Sequence, residues 1–118
     1  MLETFRALAD PSRLQIVALL LCEPLSVGTI AERLRIRQPQ ASKHLRTLSD
    51  AGLVEVHPDA QRRIYALRAQ SFRDLDSWLE RYRRGFEQQF ERLDHVLEDL
   101  QVNAKNIKEQ TNPALGRG

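Results

Sequence analysis

The sequence predicts a mainly α-helical protein with one small β-hairpin and a long helix toward its C-terminal end. Three observations predict this class. Two short amphipathic segments joined by a tight turn occupy residues 27–52, two β-prone runs follow at 53–67, and apolar residues recur at helical spacing over 72–100. A chain of 118 residues is long enough for one domain with a modest core.

Two helices are expected before Glu23. The first is short, and its inward residues are expected to be Leu2, Phe5 and Leu8. The second has Asp10 as its N-cap and Pro11 at its first position, where the missing N–H has no intrahelical partner to lose. The residues expected to face the core from this helix are Leu14, Val17, Ala18 and Leu21.

Residues 27–52 predict two helices joined by a turn of three or four residues. Ser26 is a good N-cap for the first helix, Pro39 suits the first turn of the second, and Gly52 stops it. The apolar stripes of the two helices are Val27, Ile30, Ala31 and Leu34, and then Ala41, Leu45 and Leu48. Two such helices with a polar outer face on the second describe a helix-turn-helix.

The outer side of the second helix is polar and basic. At about 100° per residue, Lys43 and Arg46 point away from the apolar stripe. His44 lies beside the stripe and is expected to pack or to contact phosphate. Because amide, hydroxyl and cationic side chains can reach base edges and phosphates, the helix predicts a DNA-contacting set. That set is Gln38, Gln40, Ser42, Lys43, His44, Arg46 and Thr47. An ordinary helical hairpin with a solvated face is the alternative.

A β-hairpin is expected directly after Gly52. Residues 53–56 and 64–67 are β-prone, and Pro58 and Asp59 lie between them as turn residues. A hairpin placed after a recognition helix is a wing, from which Arg62 and Arg63 could reach phosphate or an adjacent minor groove. The alternative role of two adjacent arginines is solubility and protection of an edge strand.

The clearest periodicity of the chain lies in its C-terminal part. The repeating apolar residues are Phe72, Leu75, Leu79, Tyr82, Phe86, Phe90, Leu93, Leu97 and Leu100. Their spacings of three and four give two heptad runs joined by a stutter between Phe86 and Phe90, and Ser71 is the expected N-cap. A break near Gly85, which would fold the segment into two helices, is the alternative to one continuous helix.

A helix of about 30 residues would be about 45 Å long, which is more than a core of this size can cover. A second copy of the chain is the economical partner for its stripe. The expected dimer interface is Phe5, Phe86, Phe90, Leu93, Leu97 and Leu100. The predicted organisation is a DNA-binding domain at 1–70, a dimerisation helix or pair of helices packed on it at 71–110, and a flexible tail at 111–118.

The net charge of +2 does not by itself indicate a binding partner, but the charges are unevenly distributed along the chain. Between residues 33 and 68 there are eight Lys/Arg and three Asp/Glu, whereas from residue 71 onward there are eight basic and nine acidic residues. The basic excess therefore lies on the half that is expected to contact DNA.

Four segments resemble the ArsR/SmtB family of bacterial winged-helix repressors, over roughly residues 3–84. They are FRALADPSRL at 5–14, LSV at 25–27, QPQASKHLRTL at 38–48 and AGLV at 51–54. The resemblance implies a winged helix-turn-helix fold, with the recognition helix at 39–51 and the wing at 54–67. It also implies a homodimeric repressor that binds an operator near a promoter and is released by a signal, often a metal ion.

The residues do not match the metal sites of this family. Its metal-responsive members carry Cys-x-Cys on the helix before the recognition helix, or Asp, His and Glu ligands on the last helix. Residues 27–34 contain no Cys, His or Asp, and adjacent Asp94 and His95 do not fit the family's ligand spacing. Together with Glu98 and Asp99 they are interpreted as a solvated face, and Cys22 as a buried structural thiol. No metal and no cofactor are expected.

Two functions from different classes remain. The first is a homodimeric repressor that binds an inverted-repeat operator in double-stranded DNA, with a redox role for Cys22 as a variant. The second is a winged-helix interaction module that does not bind DNA. No nucleophile–base pair, glycine-rich phosphate loop or paired carboxylate predicts an enzyme. One cysteine, no signal peptide and no membrane-spanning run predict a cytoplasmic protein, while the inducer stays unassigned.

Overall fold

The computed structural model describes the backbone of residues 1–117 and the side chains of residues 1–105. Its elements are α1 (Leu2–Leu8), α2 (Pro11–Cys22), β1 (Leu25–Ser26), α3 (Val27–Leu34), α4 (Gln38–Asp50), β2 (Val54–Asp59), β3 (Arg62–Leu67) and α5 (Ala69–Arg117). The mainly α class with a small hairpin is confirmed. The chain divides into two compact units, Met1–Asp76 and Ser77–Gly118.

The core of the first unit gathers side chains from α2, α3, α4 and the start of β2. Its largest fully buried members are Ile16, Ile30, Leu45, Leu48, Leu53 and Val54. The stripes predicted for α3 and α4 are confirmed, because Ile30, Ala31, Ala41, Leu45 and Leu48 are buried, and Val27 and Leu34 pack partly buried against them. Burial of both stripes fixes which faces of α3 and α4 turn outward.

The inward face of α2 differs from the prediction. Its buried residues are Ile16, Val17 and Leu20. Leu14 and Leu21 are 51% and 70% exposed, and Ala18 is exposed as well. The helix is apolar on nearly every side, so periodicity could not show which face lies inward.

The first helix and the cysteine also differ from the sequence prediction. Ala7 is the buried residue of α1, whereas Leu2 is 62% exposed and Phe5 lies at 36%. Cys22 is exposed rather than buried, because it ends α2 on the side away from Leu20.

Two of the three predicted N-caps, Asp10 and Ser26, are confirmed. The carboxylate of Asp10 accepts a hydrogen bond from the backbone N–H of Arg13 (3.0 Å), and the hydroxyl of Ser26 accepts one from the N–H of Thr29 (3.3 Å). The guanidinium of Arg13 also donates to the backbone carbonyl of Ala7, which ties α1 to the start of α2. These bonds satisfy N–H and C=O groups that helix ends leave open.

Helices α3 and α4 end with the same backbone motif. After α3, the N–H of Ile36 donates to Ala31 C=O (3.0 Å) and that of Arg35 to Glu32 C=O (3.2 Å). After α4, the N–H of Leu53 donates to Leu48 C=O and that of Gly52 to Ser49 C=O, both at 2.9 Å. This pair of bonds defines a Schellman motif, which needs a left-handed residue. Gly52 (φ 76°) fills that position after α4, and Arg35 (φ 56°) fills it after α3.

The sheet has three antiparallel strands in the order β1-β3-β2. The wing predicted at 54–67 is confirmed, but its turn is Ala60–Gln61, with Ala60 at φ 55°, rather than Pro58–Asp59. Pro58 lies within β2, which tolerates it because an edge strand leaves one side of its backbone unpaired. The short strand β1, which pairs Leu25 with Tyr65, was not predicted.

Helix α5 is continuous through Gly85, so the alternative of two helices is wrong. It begins at Ala69, two residues before the predicted cap, and the hydroxyl of Ser71 instead donates to the Gly52 carbonyl. The helix bounds include residues 111–117 of the predicted tail, Gly118 lies outside the described residues, and the mobility of that segment stays a prediction. Within the described part of the chain, no helix is both long and apolar enough to cross a membrane.

The second unit is a single helical segment whose side chains are all exposed from residue 81 to 105. Trp78, Tyr82, Phe86 and Phe90 form a ladder along it, with ring centroids 4.2, 6.2 and 6.1 Å apart in turn. The apolar stripe continues through Leu93, Leu97 and Leu100, each about half exposed. An exposed apolar stripe of this size is unusual on a monomeric protein.

The two Schellman motifs give a matched test of backbone strain. Gly52→Ala should lower the free energy of unfolding by about 1–2 kcal/mol, because a left-handed alanine is strained. Among the described residues, the heavy atom nearest to the new Cβ is Ser71 Oγ at 3.9 Å, an ordinary contact. Arg35→Gly should raise the free energy of unfolding, by up to about 1 kcal/mol, because it removes the same strain. Urea denaturation at one protein concentration measures both, and a stabilised Gly52→Ala would contradict the assignment.

Candidate nucleic-acid interface

The two sides of α4 differ completely in burial. Ala41, Leu45 and Leu48 on the inner side are each 0% exposed. On the outer side Lys43 and Arg46 are exposed. The polar predicted contact residues Gln38, Gln40, Ser42 and Thr47 are exposed as well. Six of the seven residues predicted on α4, all except His44, therefore lie on its solvent-exposed side.

The cations of this face and of the wing are not neutralised internally. Among the described residues, no ion pair involves Lys43, Arg46, Arg62 or Arg63. By contrast, Arg33 on α3 pairs with Glu23 at 3.2 Å between Nη2 and Oε1. Four exposed and uncompensated positive charges create the local potential that attracts an anionic polymer.

Two of the flanking side chains also serve the helix itself. The amide oxygen of Gln40 accepts from the backbone N–H of Arg37 (3.4 Å), and the hydroxyl of Thr47 donates to the carbonyl of Lys43 (3.2 Å). The NH₂ group of Gln40 and the lone pairs of Thr47 stay available to an outside ligand. Ser42 has no such internal bond in the described chain.

His44 lies at the boundary of the face and is half-buried. Its neighbourhood includes the N-cap of α2. The backbone N–H of Arg13 lowers the pKa of the Asp10 carboxyl below its usual value, and the charges of Arg13 and His44 act in the same direction. His44 therefore lies near enough to the α2 N-terminus to act on it electrostatically, and its side chain is only partly accessible to an outside ligand.

The wing carries its two predicted residues at its tip. Arg62 and Arg63 begin β3, opposite Asp59 and Pro58, and both side chains are exposed. The base of the hairpin is anchored by buried Val54 and half-buried Leu67, which face each other across the strands. The wing therefore has a base packed on the core and a tip exposed to solvent.

A groove of about 350 Å³ lies between the wing and the starts of α3 and α4. It is lined by Ser26, Val27, Gly28, Gln38, Gln61, Arg62 and Arg63. Sequence reasoning assigned the two arginines and Gln38 but missed Gly28 and Gln61. A glycine in the first turn of an amphipathic helix was the available signal, because glycine weakens helices and so invites a reason for its presence.

The residues considered as metal ligands lie on α5. Asp94, His95, Glu98 and Asp99 are exposed on α5, and His95 Nδ1 lies 3.8 Å from Glu98 Oε2. Within the described residues, no group of three or more His, Cys, Asp and Glu side chains could hold a metal ion.

A three-helix core, an outward basic helix after a tight turn, and a two-stranded wing define a winged helix-turn-helix protein. A helix-turn-helix domain family matches residues 8–57. The chain is 33% identical over 75 residues to the transcriptional repressor SdpR of Bacillus subtilis, covering 64% of this chain and 83% of that protein.

Solved structures agree with this class. The ArsR family transcriptional regulator RHA00566 has a TM-score of 0.65 at 28% identity, covering 72% of this chain and 93% of that one. The homodimeric winged helix-turn-helix DNA-binding domain of Mb0332 from Mycobacterium bovis has a TM-score of 0.59 at 29% identity, covering 66% and 72%. The chain belongs to the ArsR/SmtB family of winged helix-turn-helix transcriptional regulators.

Proposed function

We propose that the protein is a homodimeric transcriptional repressor that binds an inverted-repeat operator in double-stranded DNA. The observation that carries the proposal is the outer surface of α4 and the wing, where Lys43, Arg46, Arg62 and Arg63 are exposed and have no ion-pair partner among the described residues. Two similar proteins support the proposal: SdpR is a transcriptional repressor, and the Mb0332 fragment is a homodimeric DNA-binding domain.

The side chains of α4 and the wing differ in the kind of DNA contact proposed for them. Lys43 and Arg46 point directly away from the core, as a helix inserted into a major groove requires. Gln40 and Ser42 supply amide and hydroxyl groups that can read base edges, whereas Arg62 and Arg63 reach the backbone or the neighbouring minor groove. Gln38, His44 and Thr47 complete the proposed interface at its margins.

Dimerisation through α5 explains the exposed stripe. Burying a fully exposed large aliphatic or aromatic side chain is worth about 1.5–3 kcal/mol. Each chain would bury five side chains that are about half exposed, and their combined burial in a dimer can offset the cost of association. They are Phe86, Phe90, Leu93, Leu97 and Leu100. Phe5, at 36% exposure on α1, is proposed to join them. Two-fold symmetry would then present two recognition helices to successive major grooves about 34 Å apart, which gives an inverted-repeat operator.

A winged-helix module that does not bind DNA is the competing function. It would have no use for uncompensated cations on α4 and the wing. Fluorescence polarisation with the DNA upstream of the chain's own gene separates the two functions, because the module would leave the signal unchanged.

Removal of the outward cations should weaken DNA binding and leave the fold intact. In Lys43→Ala and in Arg62→Ala/Arg63→Ala, the slope of log K against log salt should fall by about one unit for each lost phosphate contact on each half-site. Polarisation titrations at several salt concentrations measure this, and the matched control is Lys105→Ala, which removes an exposed cation from α5. Wild-type affinity in both variants would show that the groove assignment is wrong.

Metal ions should not release the DNA. Zinc, cadmium or arsenite titrated into the protein–DNA complex should change its affinity less than twofold at one equivalent per chain. The reason is that Cys-x-Cys is missing from α3 and that a metal site uses about three or four converging ligands. Stoichiometric release by any of the three would contradict this expectation.

Disruption of the α5 stripe should abolish operator binding without a change in α4. Phe90→Glu with Leu93→Glu places two carboxylates in the proposed interface and should yield monomers at micromolar concentration. The matched control is Gln88→Glu with His95→Glu, which adds two carboxylates on the opposite face of the same helix turns.

Light scattering and polarisation measure both double variants. The control should stay dimeric and bind DNA. A monomeric wild type, or a dimeric Phe90→Glu/Leu93→Glu variant with normal affinity, would overturn the assignment of α5.

A further inference from the structure

A pocket of about 520 Å³ lies between the end of α2, the end of β3 and the first turns of α5. Seven of its nine lining residues are apolar, and all nine belong to the first unit of the chain. Leu20 is buried, and Ala66, Leu67 and Phe72 are half-buried. Because ligand pockets typically measure roughly 300–1,000 Å³ and are mainly apolar, this pocket has the size and the lining of a small-molecule site.

The two other lining residues, Arg73 and Asp76, carry opposite charges and are exposed. Being three residues apart on α5, they have Cβ atoms about 5–6 Å from each other. Neither takes part in an ion pair within the part of the chain that the structure describes. Arg73 instead donates to the amide oxygen of Gln70, from Nε (3.2 Å) and from Nη2 (3.1 Å). The pocket therefore combines an apolar wall with one available cation and one available anion.

These two charges indicate the head group of the ligand. A carboxylate alone would be attracted by Arg73 and repelled by Asp76, and an ammonium group alone would meet the reverse. A molecule that carries both groups side by side is attracted by both residues, and an apolar body is needed to gain from the apolar wall. We propose that this pocket binds a small zwitterion with a large apolar body, which is the chemistry of an apolar α-amino acid.

The wall of the pocket is hydrogen-bonded to the end of α4. The backbone N–H of Arg68 donates to the Leu53 carbonyl (2.9 Å), and the hydroxyl of Ser71 donates to the Gly52 carbonyl. Each donor directly neighbours a residue of the pocket wall in the sequence. A ligand that displaces this wall therefore acts on the turn after α4, and its binding should change the affinity for DNA. This regulatory role rests on the proposed function, whereas the binding site itself does not.

The test uses three probes that share one phenyl body and differ in the head group. L-Phenylalanine carries both charges, hydrocinnamate only the carboxylate and phenethylamine only the ammonium group. Each is titrated into the isotope-labelled chain, and the amide NMR shifts give both the affinity and the location. L-Phenylalanine should bind most tightly, with its largest shifts at Leu20, Leu67 and Phe72. The absence of saturable shifts there, or equal affinity for the three probes, would overturn the proposal.

Two variants remove one charge each from the pocket. Asp76→Asn and Arg73→Gln should each weaken the binding of L-phenylalanine about two- to fivefold, which is the effect of losing one exposed ion pair. Asp76→Asn should also remove the preference over hydrocinnamate, and Arg73→Gln the preference over phenethylamine. The matched control is Asp74→Asn, which removes an exposed carboxylate of α5 that does not line the pocket. An equal loss in the control would contradict the assignment of Asp76.

The monomeric variant Phe90→Glu/Leu93→Glu should bind L-phenylalanine as wild type does, because one chain forms the whole pocket. Binding by this variant and not by wild type would show that a second copy covers the pocket, which would overturn the proposal.

Polarisation titrations with the DNA upstream of the chain's own gene test the regulatory role. Saturating L-phenylalanine should change the affinity for DNA by about fivefold or more. If the ligand binds and the affinity for DNA stays the same, the regulatory role is wrong, while the pocket and the proposed function stand. If wild type binds no DNA but binds L-phenylalanine, the proposed function fails and the zwitterion site stands.

Discussion

The burial of the inner face of α4 is the constraint on which the rest of the structure depends. Ala41, Leu45 and Leu48 are fully enclosed, and Leu53 follows them into the same core. Truncating a buried leucine typically costs about 2–5 kcal/mol, which is a large share of the stability of a small domain. The rotation of α4 about its axis is therefore held firmly, and the outward direction of Lys43 follows from packing rather than from any contact that Lys43 itself makes.

The same core also positions the wing, because few residues separate the end of α4 from the start of β2. The Schellman motif at Gly52 turns the chain at the end of α4, and buried Leu53 and Val54 begin β2 one step later. Strand β3 pairs with β1 at Ile64 and Tyr65, and with β2 along its whole length. The arginines at its start are therefore held in register by β2, and they line one groove together with Gln38 at the start of α4.

Strong local signals made most of this fold predictable from the sequence. The caps at Asp10 and Ser26, the stop at Gly52 and the spacing of the α4 stripe each have a local physical cause, and each is present in the structure. Prediction failed where several faces were equally apolar, as in α2, or where pairing is non-local, as in β1. The groove at Gly28 was missed because it forms only when the wing meets the starts of two helices. The sequence predicted which residues lie on the exposed side of α4. A local sequence pattern does not show which DNA sequence those residues would bind.

The basic surface of α4 and the wing is proposed to contact DNA, and the apolar stripe of α5 to contact a second chain. The proposed dimer would link these two contacts. Exposed cations near DNA gain affinity mainly through counterion release, which grows with the number of phosphates neutralised. One wing and one α4 would neutralise few phosphates, so one chain alone would bind a single half-site weakly. Joining two chains makes the second contact intramolecular and adds affinity without any new residue at the interface with DNA. The apolar stripe of α5 would in this way decide how strongly the basic face of α4 binds, even though the two surfaces share no side chain.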